Sequence, residues 1–169
     1  LSRPKVYDRI QAELDEVVGS GPITAEAVQA LRYLDAVIQE STRMRPASAI
    51  SAFREVLQHF ELQGYTVQPG WAIAHSFPVM SRRADLFPEP DRFRPERFMN
   101  RTPEPYHWSP FGGGSRVCAG RGVAQVELKV VLATILRRRR LKLVDPEVGI
   151  TRSGQFIAPT GGLRVVAVI

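Results

Sequence analysis

Residues 111–120 read FGGGSRVCAG and hold Cys118, the one cysteine of the chain. Gly112, Gly113, Gly114 and Arg116 precede it, and an apolar helical pattern starts at Gly120. Glycine adopts dihedrals closed to other residues and lets a backbone come close to a flat group. A thiolate is a soft ligand for iron. A helix that begins just after the sulfur turns its first N–H groups toward negative charge there. Arg116 is placed to meet an anionic group at the edge of a cofactor, and Phe111 to pack against an apolar side. The competing account is a buried structural thiol, the usual fate of a free cysteine.

The rest of the chain bounds these two accounts. Its 169 residues suit one domain, and 44% hydrophobic content suits a packed core. One cysteine excludes an internal disulfide and disfavours a cysteine-rich zinc site; it suits a reducing compartment. The net charge is +6, and the densest basic run is Arg137–Arg140. That run closes an apolar helical pattern, where cations oppose the helix dipole. No aromatic interleaving or nucleic-acid motif goes with it, so nucleic acid is not an expected partner. A solvated surface or an acidic protein partner accounts for it. No run is long and apolar enough to span a bilayer, and the opening LSRPKVYDRI has neither Met nor a signal-peptide pattern. The expected location is the cytoplasm; an anchor upstream of residue 1 is compatible with the sequence.

Periodicity places the elements. Val6, Ile10, Leu14 and Val17 recur at helical spacing, with Gly19 and Gly21 beyond them as a stop. Thr24 and Glu26 read as a capping pair for a short helical turn. Leu31, Leu34, Val37 and Ile38 then predict a long helix over 30–44, ended by Pro46. From 48 to 77, β-formers around Gly64 and Pro69-Gly70 predict short strands and hairpins. Six prolines between Phe87 and Pro110 predict ordered coil. The pattern GRGVAQVELKVVLATILRRRR is a strongly apolar helix, and LKLVDP and GLRVVAVI read as strands.

Glu40 and Arg43 stand at i and i+3 on the long helix and share a face. An exposed pair of this kind is worth about 0.3–0.5 kcal/mol and is common. The stretch FRPERF (93–98) supplies a second arginine, Arg97.

Together these stretches resemble the cytochrome P450 family. Phe111, Gly114, Arg116, Cys118 and Gly120 match its haem signature F-x-x-G-x-R-x-C-x-G. A chance match of five fixed positions is on the order of 10⁻⁴ or less. Glu40 and Arg43 match its E-x-x-R, FRPERF matches its meander motif, and the order of elements agrees along essentially the whole chain. The resemblance implies an α+β arrangement, mainly α in the complete protein: the J, K and L helices, small β-sheets, the meander and the Cys-ligand loop. Residues 1–169 would then be the C-terminal portion of a single haem domain, with upstream helices including the I helix absent.

The resemblance further implies haem b as cofactor, with the Cys118 thiolate as iron ligand. Phe111, Gly114, Arg116 and Gly120 would shape its seat, and Arg54 stands where the family often has a second arginine near a propionate. Glu40, Arg43 and Arg97 would form a structural triad tying helix to coil. The family's usual histidine ahead of the meander is replaced by Ser81-Arg82, and neither His75 nor His107 stands at that position. Substrate-contact candidates are Ala47, Ser48, Ala49, Ile50, Gln155 and Phe156, small or apolar overall. The implied reaction of the complete enzyme inserts one oxygen atom of O2 into an organic, apolar substrate. Electrons would come from an acidic ferredoxin or flavodoxin-like partner meeting a basic face at Arg116, Arg121 and Lys129. The alternative reading is a truncated or non-catalytic haem-binding remnant.

Overall fold

The computed structural model describes residues 2–99, 104, 106–145 and 147–168. Three helices build the core: α1 (Pro4–Val17), α3 (Arg32–Met44) and α5 (Arg121–Arg138), with the short α2 (Ala25–Ala30) between the first two. Pro4 stands in the first turn of α1, where its missing N–H costs nothing. The predicted stripe of α1 is the one that packs: Ile10 and Leu14 are buried, joined by Tyr7, with Val6 and Val17 at the flanks. They meet Leu31, Leu34 and Ile38 from the α3 region and Ala133 from α5. Thr24 caps α2 through its hydroxyl, which accepts from the Ala27 N–H at 3.2 Å.

Helix α3 has no capping side chain of its own. Its first N–H groups are taken instead by Glu13 of α1. Glu13 accepts from Tyr33 N at 2.6 Å and from Leu34 N at 2.8 Å. A carboxylate at a helix N-terminus also meets the positive end of the dipole. This cap docks α1 on α3, and sequence periodicity carries no trace of it.

The strands form four antiparallel pairs. β1 (Arg54–Glu55) pairs with β4 (Ala72–Ile73), and β2 (Phe60–Leu62) with β3 (Tyr65–Val67) across the turn at Gly64. β5 (Arg140–Leu143) pairs with β8 (Val165–Val168). Several elements lie beyond the sequence expectations, 3-10 turns at Pro95–Phe98 and Gly114–Arg116 among them. The hairpin β6 (Ile150–Ser153) with β7 (Phe156–Pro159) turns at Gly154, and Phe77–Ser81 forms a short helix, α4. The signal for α4 was Ser76, which accepts from Val79 N, followed by Pro78 within the first turn.

Two features set the outside. The end of α5 is held by neutral donors of α1: Gln11 donates to Leu136 O at 3.0 Å and Tyr7 to Arg139 O at 3.5 Å. Of the basic run, Arg137 donates to Gly19 O, and Arg140 pairs with Asp8 at 3.1 Å and lies over the Tyr7 ring. The other side of α5, with Val123, Val126, Val130 and Val131, is exposed. A helix apolar around its circumference is one built to be covered on several sides. A compact monomer of 18.9 kDa would expose about 8,300 Å²; this chain exposes 11652 Å². No helix among the described residues is long and apolar enough to cross a membrane.

Candidate functional site

Glu40 and Arg43 are fully buried on α3. Arg43 Nε donates to Glu40 Oε2 at 2.7 Å and Nη2 to Oε1 at 3.0 Å. The remaining N–H groups of Arg43 reach Ser81 O and Pro90 O, each at 2.7 Å. Arg97 Nε donates to Glu40 Oε1 at 3.1 Å, and its other nitrogens reach the carbonyls of Pro88, Glu89 and Arg92. The Arg94 N–H closes the set on Glu40 Oε1 at 2.8 Å. Two guanidinium forks thus take carbonyls at the end of α4 and along the proline-rich stretch that follows it. This helps explain how so much irregular chain stays ordered: Arg43 and Arg97 satisfy the carbonyls of Pro88, Pro90 and Arg92, and backbone turns satisfy others. The Phe87 ring lies under Arg43, 5.2 Å from centroid to Cζ, and joins Phe98, Ala36 and Trp108 in a second small core. A lysine at position 43 would bring three donors on one point in place of a planar fork. Arg43→Lys is therefore expected to melt well below wild type, by circular dichroism; an unchanged melting curve would rule out the fork as the organiser of the coil.

From this coil the chain runs to the Cys loop. Trp108 packs on Phe98 with ring centroids 5.5 Å apart, and its indole Nε1 is buried with no hydrogen-bond partner among the described residues. Gly112 and Gly114 have φ of 76° and 63°, a region other residues rarely enter. The Gly112 N–H donates to Ser109 O at 2.9 Å, and the Cys118 N–H donates to Phe111 O at 2.9 Å, closing the loop. Cys118 is exposed, which removes the account of a buried structural thiol. The Arg121 N–H at the start of α5 donates to Cys118 O at 3.2 Å; no described hydrogen bond ends on the sulfur. Phe111 is half-buried at the base of the loop.

The loop's surroundings accommodate a flat anionic cofactor. A Cβ added at Gly114 would meet no atom within 4 Å, so that side of the loop is open. Arg116 and Arg54 are exposed, with no ion-pair partner among the described residues. No group of three or more His, Cys, Asp and Glu converges among the described residues. A single thiol holds iron only where the other ligands come from a cofactor, so the donor set fits haem and not a protein-only metal site. Gly120 has φ −81° and a Cβ there would sit 3.8 Å from the sulfur, an ordinary contact.

Fold topology joins the two substrate-contact candidates. Ala49 N donates to Gln155 O at 2.7 Å, Ile157 N donates to Ala47 O at 2.8 Å, and Ser48 bridges to Phe156. The Ser48 hydroxyl donates to Ile50 O at 2.7 Å. On the other side Ile50 bridges to Ser76, and Phe77 N donates to Ala49 O. Ala47–Ile50 thus forms the middle of a three-segment patch, with Phe156 exposed at its edge. His75 stands edge-on to Phe77 at 4.6 Å; its partial burial, and then the charge of Arg54, pull it below the usual histidine range. One sequence expectation is corrected. Lys129 is not part of an open basic face: its ammonium is 3.3 Å from Asp35, and its side chain is mostly buried.

The family model for cytochrome P450 matches residues 1–165. The solved structure of retinoic acid-bound cyanobacterial CYP120A1 superposes with a TM-score of 0.87 at 27% identity, covering 98% of this chain and 39% of that one. The chain thus has the α+β fold of part of a haem-thiolate protein, and it belongs to the cytochrome P450 family. It is 33% identical over 148 residues to cytochrome P450 716A2 of Arabidopsis thaliana, covering 85% of this chain and 31% of that protein. Over 147 residues it is 33% identical to beta-amyrin 28-monooxygenase of Barbarea vulgaris, with the same two coverages. The chain therefore spans about a third of the length of these curated relatives.

Proposed function

We propose that residues 1–169 are the C-terminal, haem-ligating portion of a P450 monooxygenase, with the Cys118 thiolate as the iron ligand. The observation that carries this reading is the exposed thiol on a closed glycine loop, inside a complete family signature. Haem, when bound, supplies the activation of O2 for insertion of one oxygen atom into an organic substrate. The residues of this chain do the rest of the work on this side of the cofactor. Cys118 would supply the thiolate, and the loop bond from its N–H to Phe111 O holds the backbone that carries it. Arg116 and Arg54 would hold the propionates through charge-assisted hydrogen bonds. Glu40, Arg43 and Arg97 do not touch the cofactor; they hold the coil from which the Cys loop departs.

Ala47–Ile50, Gln155 and Phe156 line the substrate, and their small or apolar side chains favour an apolar compound. The names of two similar proteins support this, since beta-amyrin and retinoic acid are both largely hydrocarbon. Electrons arrive from an acidic redox protein that meets Arg116 and Arg121, both exposed beside the thiolate.

The test is spectroscopic. Haem-loaded protein, reduced under CO, is expected to show the red-shifted band of thiolate ligation; a band typical of histidine or of a neutral thiol would sink the reading. For the substrate patch, Phe156→Ala is expected to weaken apolar ligands by about tenfold or more, the loss of one buried aromatic contact. Titration of the haem spectrum with a panel of apolar compounds, retinoic acid among them, reads this directly. Unchanged affinity for every binder would remove Phe156 from the site, while the CO band should be the same in both proteins.

A further inference from the structure

We infer that Tyr106 is a positioning residue for the Cys118 loop, and that Gly113 is glycine to make room for its ring. Three observations converge on this pair. Gly113 has φ −158°, extended backbone that any residue adopts, so its own conformation does not require glycine. It also falls at a position the haem signature leaves open, between Phe111 and Gly114. Yet a Cβ at Gly113 would lie 2.6 Å from Cε1 and 3.0 Å from Cδ1 of Tyr106, so the ring would have to leave its place. The one neighbour that a side chain at 113 would displace is this ring.

Tyr106 itself is unusual. Its φ is 71°, a region that bulky residues rarely enter, and its side chain is 63% exposed. Burial therefore does not explain the ring's place, and no described hydrogen bond involves its hydroxyl. What the ring does is set its Cδ1–Cε1 edge against Gly113, in the run whose neighbours Gly112 and Gly114 carry the two positive φ angles of the loop. A rigid aromatic edge against that residue limits how the three glycines can rearrange. Such restraint is needed here, because consecutive glycines lose more conformational freedom on ordering than any other residues. Among the described residues, the bonds from Gly112 N to Ser109 O, Val117 N to Gly114 O and Cys118 N to Phe111 O otherwise close the loop.

The pair is tested by a double-mutant cycle read by amide hydrogen exchange at Cys118 in the haem-free full chain. Overpacking of this size shifts a local equilibrium by about tenfold or more, so Gly113→Ala should speed Cys118 exchange by that factor. Tyr106→Ala should do likewise, Tyr106→Phe should exchange as wild type, and adding Gly113→Ala to Tyr106→Ala should produce no further increase. The amides of α3 serve as the control, since they should not change if the effect is local. Equal increments from Gly113→Ala in both backgrounds, or a Tyr106→Phe protein that behaves like Tyr106→Ala, would overturn the inference. The link from loop order to iron ligation rests on the haem-thiolate reading above. In haem-loaded protein the fraction of the reduced CO complex with the red-shifted band should fall in Gly113→Ala and be retained in Tyr106→Phe. If wild type lacks that band, the haem reading fails, and the exchange cycle still decides the role of Tyr106.

Discussion

Glu40→Gln is expected to lose most of the stability of the chain and its capacity to retain haem. The carboxylate of Glu40 accepts from Arg43 Nε at 2.7 Å, Arg43 Nη2, Arg97 Nε and Arg94 N. An amide has one acceptor oxygen. Whichever way it is turned, its NH2 group faces an N–H donor at hydrogen-bond distance, and two guanidiniums are left without their anion. Arg43 cannot escape to water, because its side chain is fully buried. Removing one partner of a buried pair costs about 3–5 kcal/mol, against a domain stability of roughly 5–15 kcal/mol. The loss should appear as a lower melting temperature and lower haem content per chain. Asp85→Asn is the comparison: Asp85 also pairs with an arginine, Arg83, but both are half-exposed, and little change is expected. A Glu40→Gln protein with wild-type melting and haem content would show that the carboxylate does not organise the coil.

Cys118→Ser should abolish the red-shifted CO band while leaving the melting of the haem-free chain near wild type. The two outcomes separate because the Cys118 side chain is exposed and carries no described hydrogen bond, so its loss would remove the proposed ligand without opening the core. The backbone bond from residue 118 to Phe111 O does not depend on the side chain. A serine hydroxyl offers neither the softness nor the charge of a thiolate, so residual haem would be bound with a different spectrum. Survival of the band in Cys118→Ser would require another ligand, and this chain has no second cysteine.

The two substitutions probe opposite degrees of sequence legibility. Cys118 and its loop were legible because the chemistry is local: the thiol, the flanking glycines and the start of α5 lie within ten residues. Helices α1 and α3 were legible for the same reason, since Ile10 with Leu14 and Leu34 with Ile38 repeat at the period of the element they form. Glu40 and Arg43, read by spacing alone, describe a common surface pair; their burial comes from coil that wraps them at Ser81, Pro90 and Arg97. The E-x-x-R and FRPERF motifs bring these residues into one triad only through the family pattern, which carries the memory of that tertiary contact.

By itself, then, the sequence determined the helical core, the cysteine loop and the membership in the family, because periodicity, turn residues and a compact motif are all short-range. Tertiary structure alone decided which helix caps α3, since the two N–H groups are taken by Glu13 about twenty residues away. It decided that Ala47–Ile50 lies beside Gln155–Ile157, joined by backbone bonds that span more than 100 residues and depend on no side-chain identity. It withdrew Lys129 from the basic face by setting Asp35 of α3 against it. And it placed the Tyr106 ring on Gly113, giving a reason for a glycine that neither its own backbone nor the motif requires. In each case the deciding partner comes from a different element, and no local pattern of residues encodes where another element will pack.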